Sequence, residues 1–298
     1  MSASIQTNDL TKIYPGAKTP SLDKLSISVE SGEVYGFLGA NGAGKSTTIR
    51  VLLNFLQPTS GQATILGKDS VKDSVTLKKH MGYLAGDVAF YNNVTGAQLL
   101  DYLNRLHGVK DKTYTNLLTK RFEVELTKPI GKLSKGNRQK IGIVQAFMHQ
   151  PDVLVLDEPT SGLDPLMQER FYETVLEAKK RGAAIFLSSH SFAEVQRTCD
   201  RVGIIRHGKL VREGSLADMA EAQMPTLLLT FKQAVPAGLA KQKALEVIDT
   251  KGRSATVRAT KSNADLFAAL SKYDIIDFQT QELELEGEFM SYYQEDEQ

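Results

Sequence analysis

Gly39-Ala40-Asn41-Gly42-Ala43-Gly44-Lys45-Ser46-Thr47 has the spacing of a phosphate-binding loop: glycine, four free positions, then Gly-Lys-Ser. A polyphosphate needs many hydrogen-bond donors close together. Backbone N–H groups supply them where no side chain blocks the approach and where glycine allows positive φ. A helix predicted from Lys45 to about Phe55 would turn its free N–H groups and its dipole toward the same anion. In that arrangement Lys45 reaches the β/γ oxygens as a point charge, and the Ser46 hydroxyl sits on Mg²⁺.

Two further stretches carry groups that could act on a bound phosphate. Val153-Leu154-Val155-Leu156-Asp157-Glu158 is an apolar strand ending in two carboxylates. In a parallel sheet, ligands bind at the carboxyl ends of the strands. Beside a phosphate loop, Asp157 is placed to hold Mg²⁺, and Glu158 to orient a water and accept its proton. His190 ends the next buried strand, Ala183–Ser188, within reach of a γ-phosphate or its water. Ser134, in Leu133-Ser134-Lys135-Gly136-Asn137, is either the N-cap of an ordinary helix with a basic solvated face or an anion site at a helix start. Tyr14, about two dozen residues ahead of the loop, either stacks on adenine or is half-buried at a strand end.

Several elements must position these groups. Glu33–Leu38 reads as a buried strand feeding the loop, and Thr48–Leu53 as the helix behind it. Ile5–Tyr14, Leu25–Val29 and Gln62–Leu66 read as strands of an antiparallel sheet built onto that core. Met81–Ala85 is a further strand. Thr95-Gly96-Ala97-Gln98 then has the form of a capping box, with Leu99, Leu100, Leu103 and Leu106 at helical spacing. From about 86 to 150 the chain reads as a mainly helical insertion. Asp164-Pro165 opens a helix over 165–181, with Leu166, Phe171, Val175 and Leu176 on its apolar side. Ser191–Glu194 has a second capping-box pattern, and Arg201–Arg206 with Gly208–Arg212 reads as a hairpin.

After Gly214 the character changes. Thr226–Phe231 and Ala255–Ala259 read as strands and Asn263–Tyr273 as a helix, a small α+β accessory domain over 216–298. Residues 281–298 carry seven carboxylates and no Lys or Arg, while Leu283, Leu285, Phe289, Tyr292 and Tyr293 suggest that part of this end packs. The formal net charge of +1 gives no electrostatic reason to expect nucleic acid. The one cysteine, Cys199, excludes an internal disulfide. No secretory signal is expected from Met1–Leu10, and no apolar run approaches the ~18 residues that span a bilayer.

Taken in register, these motifs resemble the ATP-binding subunits of ATP-binding cassette (ABC) transporters over about residues 4–215. Gly39–Thr47 is similar to the Walker A loop, Leu133–Asn137 to the signature motif, Val153–Glu158 to Walker B with its catalytic Glu, Ser161–Asp164 to the D-loop, and His190 to the switch histidine. Tyr14 falls where that family puts its adenine-stacking aromatic. The resemblance implies an α/β fold: a P-loop NTPase core with an antiparallel β subdomain and a helical insertion. It implies ATP and Mg²⁺ as ligands, and catalytic roles for Glu158, His190 and Lys45. The nucleotide would be held by Tyr14, Gly39, Ala40, Asn41, Gly42, Ala43, Gly44, Lys45, Ser46 and Thr47. Ser134, Gly136 and Asp164 would act from a second ATP-binding subunit. The metal would rest on Ser46, Asp157 and Asp87. Lys135 and Asn137 depart from the signature pattern, and Ala85-Gly86-Asp87 stands where the family's Q-loop glutamine belongs, so that Asp87 is the substitute oxygen. Leu285–Tyr293 looks like the tail of subunits serving ABC-2-type drug or peptide exporters. The implied place is the cytoplasmic face of the cell membrane, on an ABC-2-type permease. The competing reading is a soluble ABC-type ATPase working on nucleic acid or ribosomes.

Overall fold

A computed structural model describes residues 3–217, 226–260 and 262–281. The chain divides into two compact units, Met1–Leu216 and Ala217–Gln298.

The first unit begins with strands β1 (Ile5–Lys12), β2 (Leu22–Val29) and β3 (Val34–Leu38), then helix α1 (Lys45–Leu52). Strands β4 (Ser60–Ile65) and β5 (Lys68–Asp69), the short helix α2 (Ser74–Leu77) and strand β6 (Met81–Leu84) follow. The insertion contributes α3 (Gly96–Leu106), α4 (Thr113–Arg121) and α5 (Lys135–Phe147). The core is completed by β7 (Val153–Asp157), α6 (Pro165–Lys180), β8 (Ala184–Ser189), α7 (Phe192–Thr198), β9 (Arg201–Arg206) and β10 (Lys209–Ser215).

Strands β2-β1-β4-β5 form an antiparallel sheet, and β10-β9-β3-β8-β7-β6 a second sheet that is parallel except for its β10 edge. Every residue of β3, β7 and β8 is buried, as expected for strands covered on both faces. Alternate residues go to opposite sides. Leu154, Leu156, Ile185 and Leu187 join a core with α5 and α6, while Val153, Val155, Phe186 and Phe37 join one with α1 and the antiparallel sheet. The parallel sheet is thus the wall between two hydrophobic cores. Helix α5 approaches that wall so closely that a Cβ at Gly82 would lie 2.0 Å from the Ala146 carbonyl oxygen.

Several expectations need correction. Helix α1 ends at Leu52, short of Phe55, because Asn54 takes a left-handed φ of 55°. The capping box at Thr95 forms in full, but Ser191 makes no side-chain cap. Leu166 and Leu176 face solvent, and Met167, Tyr172 and Ala178 join Phe171 and Val175 in the core instead. Leu106 is also exposed.

The second unit is an antiparallel sheet, β12-β13-β11-β14, built from β11 (Thr226–Phe231), β12 (Leu245–Lys251), β13 (Ser254–Ala259) and β14 (Ile275–Gln281), with a helix over Asn263–Leu270. The two strands not anticipated, β12 and β14, are its edges. Most of β12 is solvated and interrupted by Glu246, Asp249 and Lys251, so its alternation is weak in sequence. Leu283, Leu285, Phe289, Tyr292 and Tyr293 lie outside the described residues.

Beyond α5, the His149 ring stacks on His107 with centroids 3.9 Å apart, and its Nε2 donates to the Met81 carbonyl oxygen at 3.1 Å. Burial, then the neighbouring His107, push the His149 pKa down from 6.5 to about 4. Between those values the unfolded chain binds a proton that the folded chain refuses. The stability tied to His149 is therefore complete above about pH 6.5 and is lost as pH falls toward about 4. Melting temperatures across that window should fall less steeply for His149→Gln, which keeps a donor for Met81 but does not titrate.

Candidate functional site

The carboxyl ends of β3, β6, β7 and β8 lie along one edge of the sheet. Register brings Leu38 beside Ser189, Asp157 beside Ser188, and Leu84 beside Leu156. Each strand therefore delivers its following residues to the same place. A cleft of about 450 Å³ opens there, and its lining includes Ala40, Asn41, Gly42, Gly44, Lys45, Ser46, Thr47, Asp87, Asp157 and Glu158.

The loop between β3 and α1 is fixed at both ends by glycines that nothing larger could replace. A Cβ at Gly39 would lie 2.6 Å from the Ile205 carbonyl oxygen, and one at Gly44 2.7 Å from that of Ser21, with Gly44 at a φ of 117°. Ala43 is buried behind the loop. Helix α1 has no side-chain cap, which leaves the N–H groups of its first turn to a ligand.

Lys45 is only 6% exposed. Its Nζ donates to the Gly39 carbonyl at 2.6 Å and the Ala40 carbonyl at 3.2 Å, and lies 3.4 Å from Glu158 Oε1. Ser46 Oγ donates to Asp157 Oδ2 at 3.2 Å, and Ser188 Oγ to Asp157 Oδ1 at 2.5 Å. Asp157 is thus anchored on one oxygen and shares the other with Ser46. Glu158 takes a left-handed φ of 48°, and its N–H donates to the Ser188 carbonyl at 3.1 Å. Such a conformation in a non-glycine residue costs on the order of 1 kcal/mol and is most common where function requires a particular side-chain direction. It turns Glu158 toward Lys45 and His190, whose Nδ1 donates to Glu158 Oε2.

Gly86 and Asp87 complete the cleft on the β6 side. A side chain at position 86 would start toward Asp157, since a Cβ there would lie 3.6 Å from its carboxyl carbon. Tyr14 is half-buried, and its hydroxyl lies 3.4 Å from Thr47 Oγ1, which places the ring beside the loop.

Ser134, Gly136 and Asp164 do not line the cleft. Ser134 Oγ caps α5 by accepting from Asn137 N at 3.2 Å, and Asp164 Oδ1 caps α6 by accepting from Met167 N at 3.0 Å. The start of α5 touches the segment just ahead of α6. Lys135 Nζ donates to Ser161 Oγ at 3.2 Å, and a Cβ at Gly136 would lie 2.9 Å from the Gly162 carbonyl oxygen. Buried Gln139 ties α5 to the same segment through the Pro159 carbonyl oxygen at 2.8 Å.

Sequence reasoning missed Ser21, Arg50 and Ser188 as parts of the site, and had Ser161 only as the start of the D-loop match. Arg50 had a signal, since it lies one helical turn after Ser46 and so on the same side of α1. Ser188 had none: its role depends on register with Asp157 across two strands.

The cleft can therefore hold a polyphosphate by backbone donors, offer hard oxygen ligands to a cation, and present a carboxylate–imidazole pair to a water. The family model described as ABC transporter matches residues 22–161. The bacitracin transport ATP-binding protein BcrA of Bacillus licheniformis is 41% identical over 219 residues, which are 72% of this chain and 70% of that protein. A solved structure described as an ATP binding subunit of an ABC transporter is 30% identical with a TM-score of 0.69, over 74% of this chain and 92% of that one. The dimeric post-hydrolysis form of the cassette MJ0796, bound to ADP and Pi, shares the fold at 18% identity and a TM-score of 0.65, over 71% of this chain and 98% of that one. With the phosphate loop, the carboxylate pair and the histidine at one sheet edge, and with these relatives, the chain belongs to the ATP-binding proteins of ABC transporters, a family of ATPases.

Proposed function

We propose that this ATPase powers export of a drug, peptide or similar substrate through a separate ABC-2-type membrane permease. In this reading it works at the cytoplasmic face of the membrane as one of two paired ATP-binding subunits. The observation that carries the hydrolytic part is the meeting of Lys45, Ser46, Asp157, Glu158 and His190, from three different strand ends, at one cleft. The export part rests on similarity to BcrA, which is named for bacitracin transport. The formal net charge of +1 and these relatives lend nothing to a role on nucleic acid or ribosomes.

The residues take these roles. Tyr14 offers its ring to the adenine. The backbone of Gly39–Thr47 receives the phosphates, and Lys45 exchanges the Gly39 and Ala40 carbonyls for phosphate oxygens, which are stronger partners for an ammonium. That exchange also takes Lys45 away from Glu158, so the carboxylate becomes available as general base exactly when a substrate is present. His190 holds Glu158 and the attacking water in line. The Ser46 hydroxyl and the Asp157 carboxylate, with Asp87 on the same wall, are a hard-oxygen donor set of the kind Mg²⁺ takes alongside phosphate oxygens and waters. Bound there, the ion would neutralise charge on the transferring phosphoryl group.

Ser134, Gly136 and Asp164 do not line their own cleft, and this supports a role across a dimer: the α5 start of one copy closes on the nucleotide of the other. The MJ0796 cassette is dimeric, which agrees with such pairing. Loss of the γ-phosphate then removes a bridge between the two copies and lets them part.

Three substitutions test this assignment. Glu158→Gln should lower steady-state hydrolysis by at least ~10²-fold while ATP-loaded protein elutes as a dimer in size-exclusion chromatography. A variant that turns over normally removes Glu158 from the role of base. Lys45→Ala should weaken nucleotide binding by about tenfold or more in a fluorescent-nucleotide titration, the scale of a lost charge-assisted hydrogen bond. Asp87→Ala should raise the Mg²⁺ concentration for half-maximal turnover several-fold; an unchanged requirement means that Asp87 does not serve the metal.

A further inference from the structure

Glu194 is a buried carboxyl group that no step above uses. It lies in the first turn of α7 and is 6% exposed. Its Oε2 accepts from Ser189 Oγ at 2.6 Å, and Oε1 is buried beside it. The Thr160 hydroxyl lies beside the same carboxyl, and Glu158 and His190 are both within electrostatic reach. Burying a carboxyl is costly unless donors compensate its lost hydration, and the Ser189 and Thr160 hydroxyls are the donors at hand. Burial, and to a lesser degree the Glu158 charge, push its pKa above the ordinary carboxylate range.

The geometry around His190 shows what the group does. Ser189 Oγ accepts from the Ser191 N–H at 2.9 Å, so that one hydroxyl closes a tight turn with His190 at its apex. That hydroxyl has a single proton, which can go either to Glu194 Oε2 at 2.6 Å or to the Ser191 carbonyl oxygen at 3.3 Å. Glu194 takes it and so fixes the hydroxyl's rotation and the turn. The same side chain lies against Thr160, two residues beyond Glu158. One buried group therefore touches the segment that carries the base and the segment that carries the histidine.

We infer that Glu194 is a positioning residue for hydrolysis, a buried clamp that holds the Ser189–Ser191 turn against the Glu158–Thr160 segment so that His190 and Glu158 meet. This rests on the roles given above to Glu158 and His190. The clamp needs an acceptor for the Ser189 proton and does not need a negative charge. A charge there would also repel the Glu158 carboxylate.

The test uses Glu194→Leu, which keeps the approximate volume but offers no acceptor, and Glu194→Gln, which keeps the acceptor without a charge. Steady-state ATPase assays, nucleotide titration and thermal melts are run on the full chain. Glu194→Leu should lose roughly tenfold to a hundredfold in kcat, the scale of a misplaced catalytic group, with KM and nucleotide affinity little changed. Glu194→Gln should restore most of the rate. Wild-type turnover in Glu194→Leu overturns the inference. So does an equal loss in both variants, or a loss of nucleotide affinity that matches the loss of rate. If Glu194→Leu does not fold, the Gln variant decides alone: near-wild-type kcat supports the clamp, and a loss of tenfold or more overturns it. A normal rate in Glu158→Gln would instead bring down the underlying assignment, whatever the Glu194 variants do.

Discussion

The structure depends on keeping one positive charge almost out of water. Lys45 opens α1 at the edge of the parallel sheet, where an unpaired ammonium would be strongly disfavoured. It is retained because the loop folds its own Gly39 and Ala40 carbonyls over it and because Glu158 lies opposite. The two carbonyls are neutral acceptors, weaker partners for an ammonium than anionic oxygens would be. The ammonium is thus satisfied by contacts that can be exchanged, one of them with the Glu158 carboxylate.

That arrangement constrains the architecture around it. Four parallel strands must end in register so that a loop, two carboxylates and Asp87 arrive within one cleft, with His190 against Glu158. Registers hold because each strand is buried on both faces, with alternate residues committed to different cores. A slip of one residue would send Leu154 and Leu156 to the wrong core and would carry Asp157 away from Ser46. The packing that makes the sheet stable is thus the same packing that aligns the chemistry. At the rim, Glu158 adopts a left-handed backbone so that its side chain reaches two partners that a regular strand would deny it.

The signature region shows a second use of one device. Ser134 and Asp164 each cap their own helix, and a cap leaves the remaining N–H groups of the helix start available. Within one chain the α5 start presses against the segment ahead of α6 through Gly136 and Gly162, with Lys135 reaching Ser161. Ser161 also lines the cleft, so the α5 start and the cleft share a contact.

Much of the core was legible in the sequence because its signals are local. The spacing of Gly39, Gly44, Lys45 and Ser46 reflects a backbone path that only those residues allow, and Thr95, Ser134 and Asp164 announce helix starts through bonds made within three residues. The apolar runs ending at Leu38, Asp157 and Ser189 mark strands buried on both faces for the same reason. What needed the tertiary structure was everything decided between distant segments. Ser188 matters only because register sets it against Asp157, and Glu194 forgoes the box with Ser191 because Ser189 lies within its reach once α7 packs on the sheet. The edge strands β12 and β14 were likewise hidden, since an edge is half solvated and its pairing partner, not its own composition, makes it a strand. Local bonds can be read along the chain, whereas contacts between remote segments exist only after the cores have chosen which faces to join.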